Sequence, residues 1–363
     1  MKNFFNKIHY SGSLSLADLS VKFLLIPVSL LYLAIICIRN FLYEKKVLKQ
    51  VELPAKVISV GNLTTGGTGK TPVVIEFARY LKEKTDKKIV VLSHGYGGKL
   101  YKKGVNVVSN GNKILLSAEL AGDEAYIIAE NLKGVPVICG RNRIEAGKLA
   151  IKKFGAEIIL LDDGFQHLKL KRDLNILLFD CSLICGNGFV LPAGPLREPL
   201  SEIKRADKVI MVNKNPFDSS VSDLCNSFTS KIRLEFNKPA FYCSVVPDKM
   251  IRIKDSKTVE NSGLKVFAFA GVAHPSSFFS FIEKSGFIIS GKSIFDDHYN
   301  YTEKDIEALI KEAHVKKADC LVTTEKDAVK IKDLITDKKF DIDFCFLKVS
   351  LDIDTGEILN DIL

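Results

Sequence analysis

The chain has 363 residues, of which 47% are hydrophobic and 26% charged, with a formal net charge of +9. This is ordinary globular usage with enough apolar material for a core, so disorder, collagen-like repeats and a polytopic membrane protein are excluded, and the length suits two domains or one with an appendage. Eight cysteines are scattered without a CxxC pair, most of them in apolar runs, which points to buried reduced thiols in a cytosolic protein rather than a zinc site or disulfide framework.

The first 50 residues hold seven Lys/Arg against Asp18 and Glu44, more than half of the total net charge. Within them, Phe23 to Ile38 form an uncharged stretch between Lys22 and Arg39. As a helix it would span about 24 Å, short of the ~30 Å of a bilayer core. No small-residue cleavage pattern follows it. The expectation is an uncleaved helix that lies in or dips into an anionic membrane surface, with a buried core helix or a true span as alternatives. A nucleic-acid partner is not expected, because no basic run with interleaved aromatics and no zinc-finger or helix-turn-helix spacing occurs.

After Pro54, apolar β-branched runs alternate with helical patterns. Strands are predicted at 56–60, 88–92, 105–108, 113–115, 135–139, 157–161, 175–179 and 208–212, with helices at 72–83, 123–131 and 143–154. Such alternation implies a parallel sheet covered on both faces. Residues 215–262 read as a loose connector. A second α/β unit follows, with strands at 265–270, 287–290 and 320–323 and helices at 276–285 and 302–314. Thr302 and Asp305 form a capping-box pattern at the start of the last helix. The predicted organisation is an N-terminal helical segment (1–50), a nucleotide-binding α/β domain (51–230), and a connector with a smaller α/β lobe (231–363).

The strongest local motif is the glycine-rich stretch from Gly61 to Pro72, ending Gly69-Lys70-Thr71. Glycines 66, 67 and 69 let backbone N–H groups turn toward an anion, and the following helix N-terminus adds its dipole. Thr64, Thr65, Gly66, Gly67, Thr68, Gly69, Lys70 and Thr71 are the expected nucleotide contacts. Lys70 is expected to reach the β/γ-phosphates and Thr71 to ligate Mg²⁺. Thr64 stands where the P-loop consensus has glycine. Downstream, the strand 157–161 ends in Asp162 and Asp163, a Walker-B-like pair suited to holding Mg²⁺ directly or through water.

Taken with the glycine loop, the stretch DDGFQHLKLKRDLNI at 162–176 resembles one family, the tetraacyldisaccharide 4′-kinases of lipid A synthesis. Further matching stretches are SHGYGG at 93–98, AGDEA at 121–125, LPAGPLREP at 191–199, FDDHYNYT at 295–302 and TTEKDAVK at 323–330. The chain departs from the family's usual residues at His94, where Arg is frequent, and at Tyr299, where a second His is frequent. The resemblance implies a P-loop kinase domain with a smaller Rossmann-like lobe and a membrane-associated helix. It also implies ATP-dependent phosphorylation of the 4′-hydroxyl of an acylated disaccharide 1-phosphate at the cytoplasmic face of the bacterial inner membrane.

Roles follow from the matched positions. Asp123, at a helix start, is the expected base or acceptor-orienting residue, and His298 is expected across the cleft from it. Gln166 and His167 are expected to face the phosphate site. Arg197 is expected to steady transferred phosphate charge and Glu198 to contact nucleotide. Arg141 and Arg143 are further anion contacts, and the 93–98 loop is an acceptor-binding segment. The sequence leaves two rivals. A P-loop GTPase is one, prompted by Asn213-Lys214-Asn215-Pro216, which lacks the base-reading carboxylate; a non-enzymatic membrane adaptor is the other.

Overall fold

A computed structural model describes residues 7–10, 15–260, 263–272, 275–297, 299–336 and 338–362. Helix α1 spans Leu16–Glu44 and starts at a capping box in which Ser15 and Asp18 satisfy each other's backbone N–H groups. It is longer than the apolar run alone suggests, and it is not a core helix. Only 11% of its most apolar stretch is buried.

The next block runs β1 (Lys56–Asn62), α2 (Lys70–Lys84), β2 (Ile89–Ser93), β3 (Asn106–Ser109), α3 (Ala118–Ala121), α4 (Asp123–Asn131), β4 (Val137–Cys139), α5 (Arg143–Phe154), β5 (Ile158–Asp162), β6 (Leu174–Asp180) and β7 (Lys208–Asn213). The remainder is α6 (Ser219–Phe236), β8 (Ala240–Arg252), β9 (Thr258–Val259), β10 (Lys265–Ala270), α7 (Pro275–Lys284), β11 (Ile288–Ile294), α8 (Glu303–Val315), β12 (Cys320–Thr324), α9 (Glu325–Ile335), β13 (Asp343–Ile353) and α10 (Thr355–Leu359).

All strands join one sheet, ordered β11-β10-β12-β13-β8-β7-β6-β1-β5-β2-β4-β3, with β9 on β8. Two blocks, parallel apart from the antiparallel edge strand β3 and the short β9, meet at the antiparallel β8–β13 ribbon. The central strands are buried on both faces, as their continuous apolar runs require. Alternate residues feed opposite cores: Ile58 and Val60 pack with α2 and α4, whereas Val57 packs with α5.

Three expectations need correction. Residues 215–262 are not a connector, because they form α6 and the long strand β8 that carries the sheet onward. The predicted strand at 113–115 reduces to one bridge between Ser109 and Ile114. Cys181 and Cys225 are joined in a disulfide, whereas the scattered spacing suggested thiols throughout. The chain also returns to the first block at its C-terminal end. Lys208 Nζ donates to Ile358 O at 2.9 Å and to Asn360 Oδ1 at 2.7 Å, holding α10 against that block.

Candidate active site

The phosphate loop connects the C-terminal end of β1 to α2. Gly69 takes φ +87° at the helix start, and a Cβ there would lie 3.1 Å from Val212 Cγ1, so the turn needs glycine for both conformation and space. Lys70 is buried, and its Nζ donates to Asn62 Oδ1 at 3.2 Å and lies 3.5 Å from Asp163 Oδ1. Thr71 opens α2 beside it. The other end of the loop is clipped to the 190–198 segment: Thr65 N donates to Pro195 O at 2.8 Å and Arg197 N to Leu63 O at 2.6 Å, while Thr64 bridges Leu196. Gly66 and Gly67 have open space on the side a Cβ would occupy, which leaves their backbone approachable. Lys214, from the end of β7, contacts the Gly67 carbonyl and pairs with Asp180 at 2.6 Å.

Asp162 ends β5 and is 1% exposed. Ser93 Oγ donates to its Oδ2 at 3.3 Å, but its Oδ1 is buried with no hydrogen-bond partner among the described residues. Burial first, and then the nearby Glu124 charge, push its carboxyl well above the ordinary range against the pull of Lys70. Asp163 goes the other way. Burial disfavours its charge, but Lys70 and Arg197 override that and hold it below the ordinary range. It sits at φ +57°, and Arg197 Nη1 contacts both its oxygens at 3.0 and 2.9 Å. Such a positive φ on a non-glycine residue carries strain and often accompanies a functional constraint. Thr68 Oγ1 is a second buried polar atom with no hydrogen-bond partner among the described residues. Orphaned hard oxygen donors beside a phosphate loop fit Mg²⁺, which keeps waters and phosphate oxygens in its shell rather than needing a cluster of protein ligands.

Gln166 Nε2 donates to Asn62 O at 2.8 Å, so it braces the loop from below. His167 is half-buried. Desolvation, then the charges of Arg143 and Arg172, lower its pKa to about 4. Arg143 is fully buried, and its guanidinium donates to the backbone oxygens of Asp162 at 2.7 Å and Gly140 at 3.3 Å. It holds the end of β5 in place and is not an exposed anion contact; Arg141 stays exposed. Glu198 also departs from expectation. It is fully buried, with its two carboxylate oxygens engaged by Arg39 of α1 and by Arg205, so it faces the α1 interface rather than an open nucleotide surface.

Asp123 opens α4 after Gly122, which has φ +89° and no room for a Cβ, since Tyr96 O would lie 2.5 Å away. The 94–98 loop therefore packs directly under the helix start. Opposite, Lys330 of α9 places Nζ 3.6 Å from Asp123 Oδ2 and 3.5 Å from Asp327 Oδ1. Asp327 is buried and accepts from Gly271 N at 2.9 Å and Thr324 Oγ1 at 2.8 Å. His298 lies outside the described residues; its neighbour Asp297 pairs with Lys326 at 3.6 Å.

The sequence assigns no role to Asn62 or Lys330, and it offers Lys214 only as part of an incomplete guanine-reading motif. A polar residue ending an apolar strand marks Asn62, and Lys330 lies in the TTEKDAVK stretch, but which charge each meets depends on tertiary pairing. His94 is half-buried against Tyr101, 2.8 Å from its hydroxyl. Desolvation and the charge of Arg143 lower its pKa to about 4.

The family model described as tetraacyldisaccharide-1-P 4′-kinase matches residues 21–363. The chain belongs to this family. A tetraacyldisaccharide 4′-kinase from Halothermothrix orenii is 38% identical, across 96% of this chain and 95% of its own length. One from Desulfotalea psychrophila is 41% identical, across 86% and 88%. Among solved structures, LpxK from Aquifex aeolicus in complex with ATP superposes with a TM-score of 0.72 at 33% identity, covering 94% of this chain and 98% of that one. Membership in the tetraacyldisaccharide-1-P 4′-kinase family sets aside the adaptor and GTPase readings, and the mixed α/β architecture is the family's own.

Proposed function

We propose that the chain transfers the γ-phosphate of ATP to the 4′-hydroxyl of a tetraacylated disaccharide 1-phosphate, working against the cytoplasmic face of a bacterial inner membrane. The observation that carries this reading is the meeting of Lys70, the glycine loop and the two carboxylates Asp162 and Asp163 at the end of β5, in a chain of this family. Phosphoryl transfer needs little covalent help from a protein; it needs reactants in line and charge offset. Lys70 supplies a point charge for the β/γ-oxygens, and the N–H groups of 66–71 cradle the phosphates. Arg197 is poised between Asp163 and the loop, where a transferred phosphoryl group would draw its guanidinium. Thr71, Asp162 and Asp163 would hold Mg²⁺, which supplies charge neutralisation of the phosphates when bound.

The acceptor hydroxyl must lose a proton as the new bond forms. Asp162 and Asp163 are committed elsewhere, so Asp123 takes that proton, with His298 completing the pair when the two blocks close on substrate. The exposed apolar face of α1 and the basic residues around it are the two signals that hold the enzyme on anionic lipid, and no nucleic acid takes part. The deciding experiment measures turnover of the acylated disaccharide 1-phosphate with ATP and with GTP. Phosphorylated lipid formed from ATP is expected; turnover selective for GTP, or none with the lipid, overturns the assignment.

A further inference from the structure

Helix α1 has two faces. Leu24, Val28, Leu31, Ile35 and Ile38 each remain more than half exposed. Ser29, Tyr32, Ile36 and Asn40 repeat at the spacing of successive turns on the opposite face, and Ser29, Ile36 and Asn40 are buried. A buried hydroxyl needs partners, and Ser29 has two: its Oγ donates to Val190 O at 3.1 Å and accepts from Ala193 N at 2.8 Å. Tyr32 Oη donates to Arg197 O at 2.9 Å. Arg39 pairs with the buried Glu198. The helix thus fixes the 190–198 segment at both its ends. That segment is in turn bonded to the phosphate loop through Leu63 and Thr65. Residues 7–10 add a direct link, since Tyr10 Oη donates to Thr65 O at 3.1 Å.

Pro192 and Pro195 offer no N–H. The segment's own backbone bonds, Leu191 N to Leu196 O at 2.9 Å and Gly194 N to Val190 O at 3.1 Å, stop short of Arg197, whose main chain is held from outside, by Leu63 O at its N–H and by Tyr32 at its carbonyl. We propose that α1 is a splint for the phosphoryl-transfer site: Ser29, Tyr32 and Arg39 are positioning residues that fix the backbone of Arg197 against the phosphate loop and so aim its guanidinium. The helix that meets the membrane is, on its other side, a wall of the site. The proposal rests on the reading that Arg197 acts on transferred phosphate. None of the three α1 residues touches substrate; they act through the Arg197 main chain and its neighbours. Because the two faces are separate stripes, membrane attachment and positioning of Arg197 are separable by mutation.

The test uses the full chain in neutral detergent micelles that also carry the tetraacylated disaccharide 1-phosphate, so that membrane attachment no longer limits turnover. Ser29→Ala with Tyr32→Phe is expected to lower kcat about tenfold, the worth of one or two hydrogen bonds, while vesicle binding stays at the wild-type level. Leu24→Ser with Leu31→Ser, on the exposed face, is expected to do the reverse: weaker binding to anionic phospholipid vesicles and unchanged micellar kcat. Adding Tyr32→Phe to Arg197→Ala is expected to cost nothing further, because the hydroxyl acts only through that side chain. A general loss of folding would instead add its cost to that of Arg197→Ala, and full additivity overturns the splint. Wild-type kcat in the Ser29/Tyr32 double variant, beside an Arg197→Ala variant whose kcat is lowered but measurable, also overturns it. Wild-type turnover in Arg197→Ala itself removes the reading on which the proposal stands.

Discussion

Lys70 sits buried between Asn62 and Asp163. Lys70→Ala should therefore lower kcat about 10²–10³-fold with the melting temperature little changed, since one preorganised charge in a water-poor site is worth that much; steady-state kinetics beside a thermal melt checks both halves. Asp123→Ala and His298→Ala should each lower kcat far more than they raise KM for ATP. Their double variant should cost little more than the worse single one, and full additivity in that cycle would leave each acting alone. The two half-buried histidines, His94 and His167, have folded-state pKa values near 4 against about 6.5 when unfolded, chiefly through desolvation. The unfolded chain then binds more protons between those values, so stability falls as pH drops from about 6.5 toward 4. Urea midpoints measured across that range should fall with acidification, and His94→Gln with His167→Gln should flatten the slope. What could be read from residues alone was residue type and order: the glycines, Lys70 and the acidic pair announced an anion site. That Arg197 clamps Asp163, and that Glu198 faces α1 through Arg39, depends on partners 34 and 159 positions away, and no local pattern encodes them.

At the level of elements, periodicity served best where burial is uniform. The helices 123–131 and 143–154 and the strand 265–270 stand where the sequence puts them, because each has one consistent pattern and a clear end signal. It failed where an element is amphipathic in a mixed way. β8 alternates buried and half-exposed residues and carries Pro247, Asp248 and Lys249, so it looks like a loop, yet β13 and β7 pair with it. Helix α6 holds five serines with Asp223 and Asn226, but Cys225, Thr229 and Ile232 are buried against the sheet. Helix α1 was legible as apolar and basic; its buried polar stripe was not, because a lone Ser and Asn say nothing of which loop they meet. Deleting residues 1–43 should reduce the fraction of enzyme that sediments with anionic vesicles, since it removes apolar area and basic flanks together. Undiminished sedimentation would show that another surface attaches the enzyme. The deletion should also impair catalysis in micelles, which simple loss of an anchor would not.

Across the whole molecule, the single sheet makes the two blocks one backbone structure, and the contacts between α4 and α9 close them on the side of Asp123. Lys332 pairs with Glu130 at 2.7 Å, and Asn131 donates to Glu325 at 2.7 Å. The ribbon that joins the blocks has a consequence for how the protein behaves in pieces. β8 is 13 residues long, and β7 covers one of its sides only from Ala240 to Ser244. Its other side is covered by β13, a strand about a hundred positions later. A fragment ending at residue 262 would leave that long row of N–H and C=O groups bare, a template for another copy of itself. Pro247, Asp248 and Lys249 interrupt the row at its middle, where the pairing with β13 also shifts register, but apolar residues flank them on both sides. Residues 51–262 expressed alone should therefore self-associate, and size-exclusion chromatography with light scattering should find oligomers where a chain retaining β13 gives a smaller, discrete species. The enzyme is thus poorly suited to dissection near its centre: the boundary that looks weakest in the sequence is where separated halves would be stickiest.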